Sequence, residues 1–371
     1  MNGMTCRNFG TRWVVWTSFL LAAASGLAQS GAKKKLIEFG WDEPDSRFMR
    51  EHIEEMERTP FDGWVFHIQA TLANGKKGDF LWETWGSRAF TYEEVKPAIE
   101  DLKATKFKRF TENFLRFNTT PAKLDWFDDF SAITNNVRLA ARVAREGGCR
   151  GVLFDIEQYV SPLFNYRKQR DAEKKSWDEY AAQVRRRGRE TMEAFQAEYP
   201  DLTVFMTFGY SLPWSQTGNG KKPLADCSYG LLAAFTDGLV DGARGKTKLV
   251  DGHELSYGYK DPKQFAAAYQ TMKEGLLSIV ADPEKYKKVF SLGFGLWMDE
   301  NWRKYGWETN DFSKNYFTPE AFETALRAAL STADEYVWIY TETPRWWSKD
   351  GTPVKLPRAY DTAVRRARNP R

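Results

Sequence analysis

The chain has 371 residues, with 54 Lys and Arg against 50 Asp and Glu, and a formal net charge of +4. So slight a charge gives no reason to expect nucleic acid or an anionic membrane as partner. Three histidines in the whole chain leave little for a histidine-rich zinc centre.

Arg7 and Arg12 precede an apolar run, Trp13 to Ala24, and Gly26 and Ala28 are small residues where a signal peptidase reads. Residues 1–28 are therefore expected to be a signal peptide, and 29–371 one exported domain, periplasmic or secreted. No cysteine follows the cleavage site to carry a lipid, and no later stretch is long and apolar enough to span a bilayer. Without Arg7 and Arg12 the charge falls from +4 to +2, because no acid lies in the first 28 residues. Cys149 and Cys227 remain, and whether they pair is left open.

From there, strand-like runs alternate with helical ones. Leu36–Trp41 is the first strand, followed by a helix that Asp45 or Ser46 can cap. Gly63–Ile68 is the second, and its long loop holds Trp82 and Trp85 before a helix capped by Thr91 with Glu94. Arg109–Phe117 is the third, with a helix over 127–145 ended by Gly147-Gly148. The fourth is the run Gly151–Tyr159. A charged helix over 177–199 stops at Pro200 and leads to the fifth strand, Thr203–Tyr210, then Pro213-Trp214. Lys248–Glu254 is the sixth, with a helix over 262–280; Val289–Trp297 is the seventh; Tyr336–Glu342 is the eighth. Thr318-Pro319 opens the helix between the last two, and a short helix over 357–367 ends the chain. Eight such units predict a single-domain (β/α)8 TIM barrel. An open doubly wound sheet would be expected to carry a glycine-rich phosphate loop, and none is present.

In this register the strand ends collect tryptophans and acids. Asp155 and Glu157 share one face of the fourth strand with Leu153 and Tyr159. Burying two acids and a phenol there is costly unless they are paired, solvated or used, and barrel active sites lie at that end. Hydrolysis of a glycosidic bond needs one protonated carboxyl and a second group that stabilises the carbon or activates water. Glu157 is the expected acid, held by a hydrogen bond from Asp155. Glu254 or Glu342 is the expected second carboxylate: Glu254 lies close enough for a retaining pair, whereas Glu342 stands opposite with room for water. Trp41, His67, Asn113, Tyr159, Tyr210, Trp214, Trp297, Asp299 and Tyr340 are the expected substrate-binding residues, with Trp214 and Trp297 as sugar platforms. No cofactor and no metal site is expected. Asp251-Gly252-His253-Glu254 sends neighbouring side chains to opposite faces, which is poor geometry for a metal.

The run Arg150-Gly151-Val152-Leu153-Phe154-Asp155-Ile156-Glu157 resembles the fourth-strand signature of family 18 glycoside hydrolases, the chitinases and endo-N-acetylglucosaminidases. The last aspartate and the glutamate match; the first two aspartates are replaced by Arg150 and Leu153. The resemblance implies an acid role for Glu157 and a substrate-orienting role for Asp155. More broadly the chain looks like a secreted bacterial barrel glycosidase acting on an oligo- or polysaccharide. The alternatives are a non-catalytic glycan-binding barrel of the cell envelope and a metal-assisted hydrolase.

Overall fold

A computed structural model describes residues 34–348 and 354–369, all within one compact unit. The expected signal segment lies outside these residues. Nine strand segments form one parallel sheet: β1 Lys35–Glu38, β2 Gly63–Phe66, β3 Phe114–Asn118, β4 Gly151–Asp155, β5 Thr203–Met206, β6 Lys248–Asp251, β7 Phe290–Leu292, β8 Phe294–Trp297 and β9 Tyr336–Tyr340. Their order is β8-β9-β1-β2-β3-β4-β5-β6-β7. β7 and β8 are one strand interrupted at Gly293, pairing with β6 before the break and with β9 after it. The sheet closes through that residue, so the architecture is the expected (β/α)8 barrel.

The main helices are α1 Ser46–Met56, α2 Tyr92–Ala104, α3 Ser131–Glu146, α4 Trp177–Glu198, α5 Gly230–Gly242, α6 Pro262–Lys273, α7 Pro319–Thr332 and α8 Arg358–Arg368. Asp45 caps α1, and reciprocal capping boxes start α2 (Thr91, Glu94), α4 (Ser176, Glu179) and α6 (Asp261, Gln264). Each cap is worth about 1 kcal/mol. α5 is buried except at Asp237 and Asp241, and it packs against α4, where a Cβ on Gly238 would lie 2.0 Å from the Arg185 carbonyl oxygen.

Every strand is shorter than its apolar run suggests, and in three of them a carboxylate captures the backbone. β3 starts at Phe114 rather than Arg109, because Glu57 accepts from the amides of Lys108, Arg109 and Phe110 at 2.7, 2.7 and 3.1 Å. β4 stops at Asp155, whose Oδ1 accepts from the Glu157 amide at 3.3 Å. β6 stops at Asp251, which accepts from the Ser211 hydroxyl at 2.9 Å and the His253 amide at 3.0 Å.

The barrel interior is packed solid by Ile37, Phe39, Val65, Phe114, Leu153, Phe205, Val250, Tyr336 and Trp338. Gly295 makes room for the Trp338 indole; a Cβ there would sit 2.7 Å from the ring. The next inward position on several strands falls above this layer, and there the functional groups collect. Cys149 and Cys227 are both buried free thiols. Among the described residues no helix is long and apolar enough to cross a membrane.

Candidate active site

A cavity of about 840 Å³ opens at the carboxyl ends of the strands. Trp41, His67, Glu157, Tyr159, Glu254, Trp297, Tyr340 and Glu342 line it, together with Glu43, Lys77, Asp79, Trp82, Arg116, Tyr257 and Arg303. Strand parity explains much of this set. Phe39, Val65, Phe114, Leu153 and Trp338 point into the barrel core, so Trp41, His67, Arg116, Asp155 and Tyr340 point into the layer above it.

The floor is an ion network. Arg116 on β3 donates to Asp155 at 2.6 Å and to Glu43 at 2.9 Å, while its guanidinium lies over Phe39 at 4.9 Å. His67 approaches the second oxygen of Glu43 at 3.3 Å. Burial works against ionised Glu43, but Arg116 and His67 outweigh it and hold its pKa below the ordinary value. Tyr159 donates to Asp155 at 2.9 Å, and burial beside Asp155 and Glu157 pushes its phenol far up. Asp155, buried completely, thus spends its carboxylate on Arg116, Tyr159 and the backbone. Its link to Glu157 is through the Glu157 amide, not the side-chain hydrogen bond expected from sequence.

Above this floor the carboxyl groups of Glu157 and Glu254 hydrogen-bond to each other. Burial raises both; the charge of Asp155 adds to it at Glu157, and the charges of Glu157 and Asp155 add to it at Glu254. Glu157 is pushed up to about 7, restrained by Arg116 and by the neighbouring Tyr159 hydroxyl. Glu254 rises well above the carboxylate range; its one lowering neighbour is the hydrogen-bonding Tyr257, and its Oε2 is buried without a partner. The hydrogen bond between them lowers Glu157 and raises Glu254, so a proton shared by the pair is carried on Glu254 and accepted by Glu157. The turn that presents Glu254 has His253 in the left-handed region at φ 43°, a conformation that costs a non-glycine residue energy.

Glu342 reaches the cavity from β9, across the barrel from β4. Arg303 donates to it at 3.1 Å, Tyr340 at 3.3 Å, and the Trp302 indole also donates to it. Both of its oxygens are therefore engaged. Tyr340 accepts from the Trp41 indole at 2.9 Å and stacks on Tyr257, centroids 5.6 Å apart.

Four residues expected to bind substrate lie outside this lining. Asn113 faces away from the barrel axis at the start of β3, accepting from the Trp64 amide at 3.2 Å and donating to the Phe110 carbonyl at 2.9 Å. Tyr210 has the opposite parity to Phe205, so it enters the helix layer and donates to Asp237 at 2.6 Å. Trp214 is buried in the short helix Ser211–Gln216. Asp299 clasps the loop, accepting from the Trp297 indole at 2.8 Å and from the amides of Glu342 and Thr343 at 3.1 and 2.8 Å. Arg116 and Tyr257 were not singled out from sequence. The parity of Phe114 points to Arg116, whereas Tyr257 belongs to an irregular turn that no period reveals. Among the described residues no three His, Cys, Asp or Glu side chains are grouped to hold a metal ion.

No protein-family model matches the chain, and no curated protein does. Among solved structures it is similar to GH5_18 from Streptomyces cattleya in complex with GlcNAc, at 11% identity over 92% of this chain and 82% of that one, TM-score 0.46. A glycoside hydrolase family 5 enzyme from Prevotella bryantii, complexed with a xyloglucan tetradecasaccharide, matches at 8% identity over 86% of each chain, TM-score 0.45. D-Psicose 3-epimerase from Clostridium cellulolyticum, with D-tagatose, matches at 10% identity over 90% of this chain and 96% of that one, TM-score 0.40.

Proposed function

We propose that the protein is a glycoside hydrolase acting on an oligo- or polysaccharide, with Glu157 and Glu254 as its acid–base pair. The observation that carries this reading is the contact between two desolvated carboxyl groups in an open cavity walled by aromatic rings. Buried carboxyls sharing a proton supply an acid and a base at one pH. Glu254, surrounded by negative charge, gives its proton to the glycosidic oxygen as the bond to the anomeric carbon breaks. Glu157 takes a proton from the water that adds to that carbon. This reverses the polarity expected from sequence, since Arg116 and Tyr159 favour the ionised form of Glu157. The groups touch, whereas either stereochemical route needs them about 5 Å or more apart; an entering sugar therefore parts them.

Asp155 and Arg116 hold Glu157 in place. The substrate-orienting role that the family 18 resemblance implies for Asp155 conflicts with the donors already on its carboxylate. Glu342 accepts sugar hydroxyls or supports positive charge at the reacting carbon, and Trp41, Trp297 and Tyr340 supply surfaces for the C–H faces of sugar rings. Export remains part of this proposal, resting on residues 1–28.

The test is product detection on a soluble glycan panel, comparing wild type with Glu157→Gln and Glu254→Gln. Each variant is expected to lose about 10²–10⁴-fold in turnover while still binding the glycan that wild type cleaves. Tight binding by wild type without any product would instead make the barrel a glycan-binding protein.

A further inference from the structure

Each carboxyl of the pair has its own tyrosine, and each tyrosine leads to its own exposed tryptophan. On one side Tyr159 lies beside Glu157 in the cavity wall, donates to Asp155 at 2.9 Å and packs edge-on against Trp82, centroids 5.2 Å apart at 71°. On the other, Tyr257 hydrogen-bonds to Glu254 and stacks on Tyr340, whose hydroxyl accepts from the Trp41 indole at 2.9 Å. Of the thirteen described tryptophans six are buried and five half-buried, whereas Trp41 is 50% and Trp82 is 38% exposed.

Neither ring is loosely placed. Trp82 lies over Arg116 at 5.6 Å, and its amide donates to Asp79 at 3.0 Å. Trp41 is fixed by its indole hydrogen bond. Holding a large apolar face rigid beside water costs free energy, and recovers it when a flat apolar surface covers that face. The hydroxyl-bearing edges of a ring stacked there would meet Asp79 on one side and Glu342 on the other, both in the cavity lining.

We propose that Trp82 and Trp41 are two separate sugar platforms, one on each side of the carboxyl pair, so that the cavity binds a saccharide of at least two rings and cleaves between them. This deepens the hydrolase reading and rests on it. A binding site with a single platform would hold only a terminal sugar; two platforms flanking the reacting bond make chain length and bond position the specificity variables.

The experiment uses full-length Glu157→Gln protein titrated with cello-, xylo-, manno- and chito-oligosaccharides of two to six units, each with a free and an end-labelled form. For the series that binds, adding Trp82→Ala or Trp41→Ala is expected to weaken affinity about three- to tenfold each, with Trp82→Phe and Trp41→Phe recovering part of the loss. Thermal midpoints of all variants are measured alongside, and the Phe variants carry the comparison if an Ala variant is unfolded. On the wild-type background, Trp82→Ala and Trp41→Ala are expected to shift the cleaved bond of a labelled hexasaccharide toward opposite ends. A shift in the same direction, or binding indifferent to both tryptophans, overturns the two-platform inference while leaving the hydrolase intact. Failure of every oligosaccharide to bind overturns both.

Discussion

Arg116 on β3 donates to Asp155 on β4 at 2.6 Å, and the two side chains rise side by side above the barrel core. One buried cation thereby serves Asp155 and Glu43 together, and through Tyr159 it fixes the ground on which Glu157 stands. Removing it would leave Asp155 buried without a cation and Glu43 with His67 alone. Arg116→Met is expected to lose 3–5 kcal/mol of stability and to cost at least 100-fold in turnover. Urea denaturation and kinetics on the same preparation check both effects.

The carboxyl pair sets the pH dependence of kcat/KM, which reports on the free enzyme. The one-proton state requires Glu157 to be ionised and Glu254 to be protonated. Glu157 is pushed up to about 7 and Glu254 well above its ordinary value, so on the proposed reading activity is expected to rise as pH passes through about 7 and to fall once Glu254 loses its proton. A profile already flat at pH 5, with its descending limb below 7, would contradict the assignment.

A second buried carboxyl pair lies outside the cavity. Glu38 hydrogen-bonds to Asp42, both fully buried, and Asp42 accepts from the Trp346 amide at 2.7 Å. Burial lifts Glu38 well above its ordinary value and Asp42 to about 6. Both folded pKa values exceed the unfolded ones, so the folded state holds more protons and stability falls as pH rises from about 4 through the folded values. Glu38→Gln is expected to flatten this slope and to raise the melting temperature at pH 8 more than at pH 5. Differential scanning calorimetry at the two pH values decides it.

Tyr210 supplies the contrasting case. It lies in the helix layer, and its hydroxyl bond to Asp237 is structural. Asp237 also accepts from the Ala281 amide at 2.9 Å, so Tyr210→Phe does not strand it. The expected cost is about 1 kcal/mol in stability, with turnover unchanged. A large loss of activity in a folded Tyr210→Phe protein would require a different picture of that strand end.

Two-residue periodicity made much of this site readable. Leu153, Asp155 and Glu157 lie on one side of β4 and its continuation, as their spacing implies, and Tyr340 and Glu342 follow Trp338 in the same way. Asn113 and Tyr210 failed the same rule: Asn113 is adjacent to core-facing Phe114 and so faces outward, and Tyr210 lies beyond the end of β5 at Met206. Loops obey no such period. Asp299 looked like a binding residue because it is an acid among tryptophans, but it is consumed by backbone amides. Helix α5 shows only a two-residue polar stripe, Asp237 and Asp241, on an otherwise buried apolar run, too narrow to read as amphipathic. The Glu157–Glu254 contact itself was beyond sequence, since it depends on how a left-handed residue at 253 aims the chain.

The Trp338 indole, seated against Gly295 and donating to the Gly252 carbonyl at 2.8 Å, closes the axis of the molecule from below. Nothing can drain through the middle. On the proposed hydrolase reading, substrate and cleaved fragments alike must use the cavity mouth at the strand ends, so fragment release competes with the arrival of the next chain.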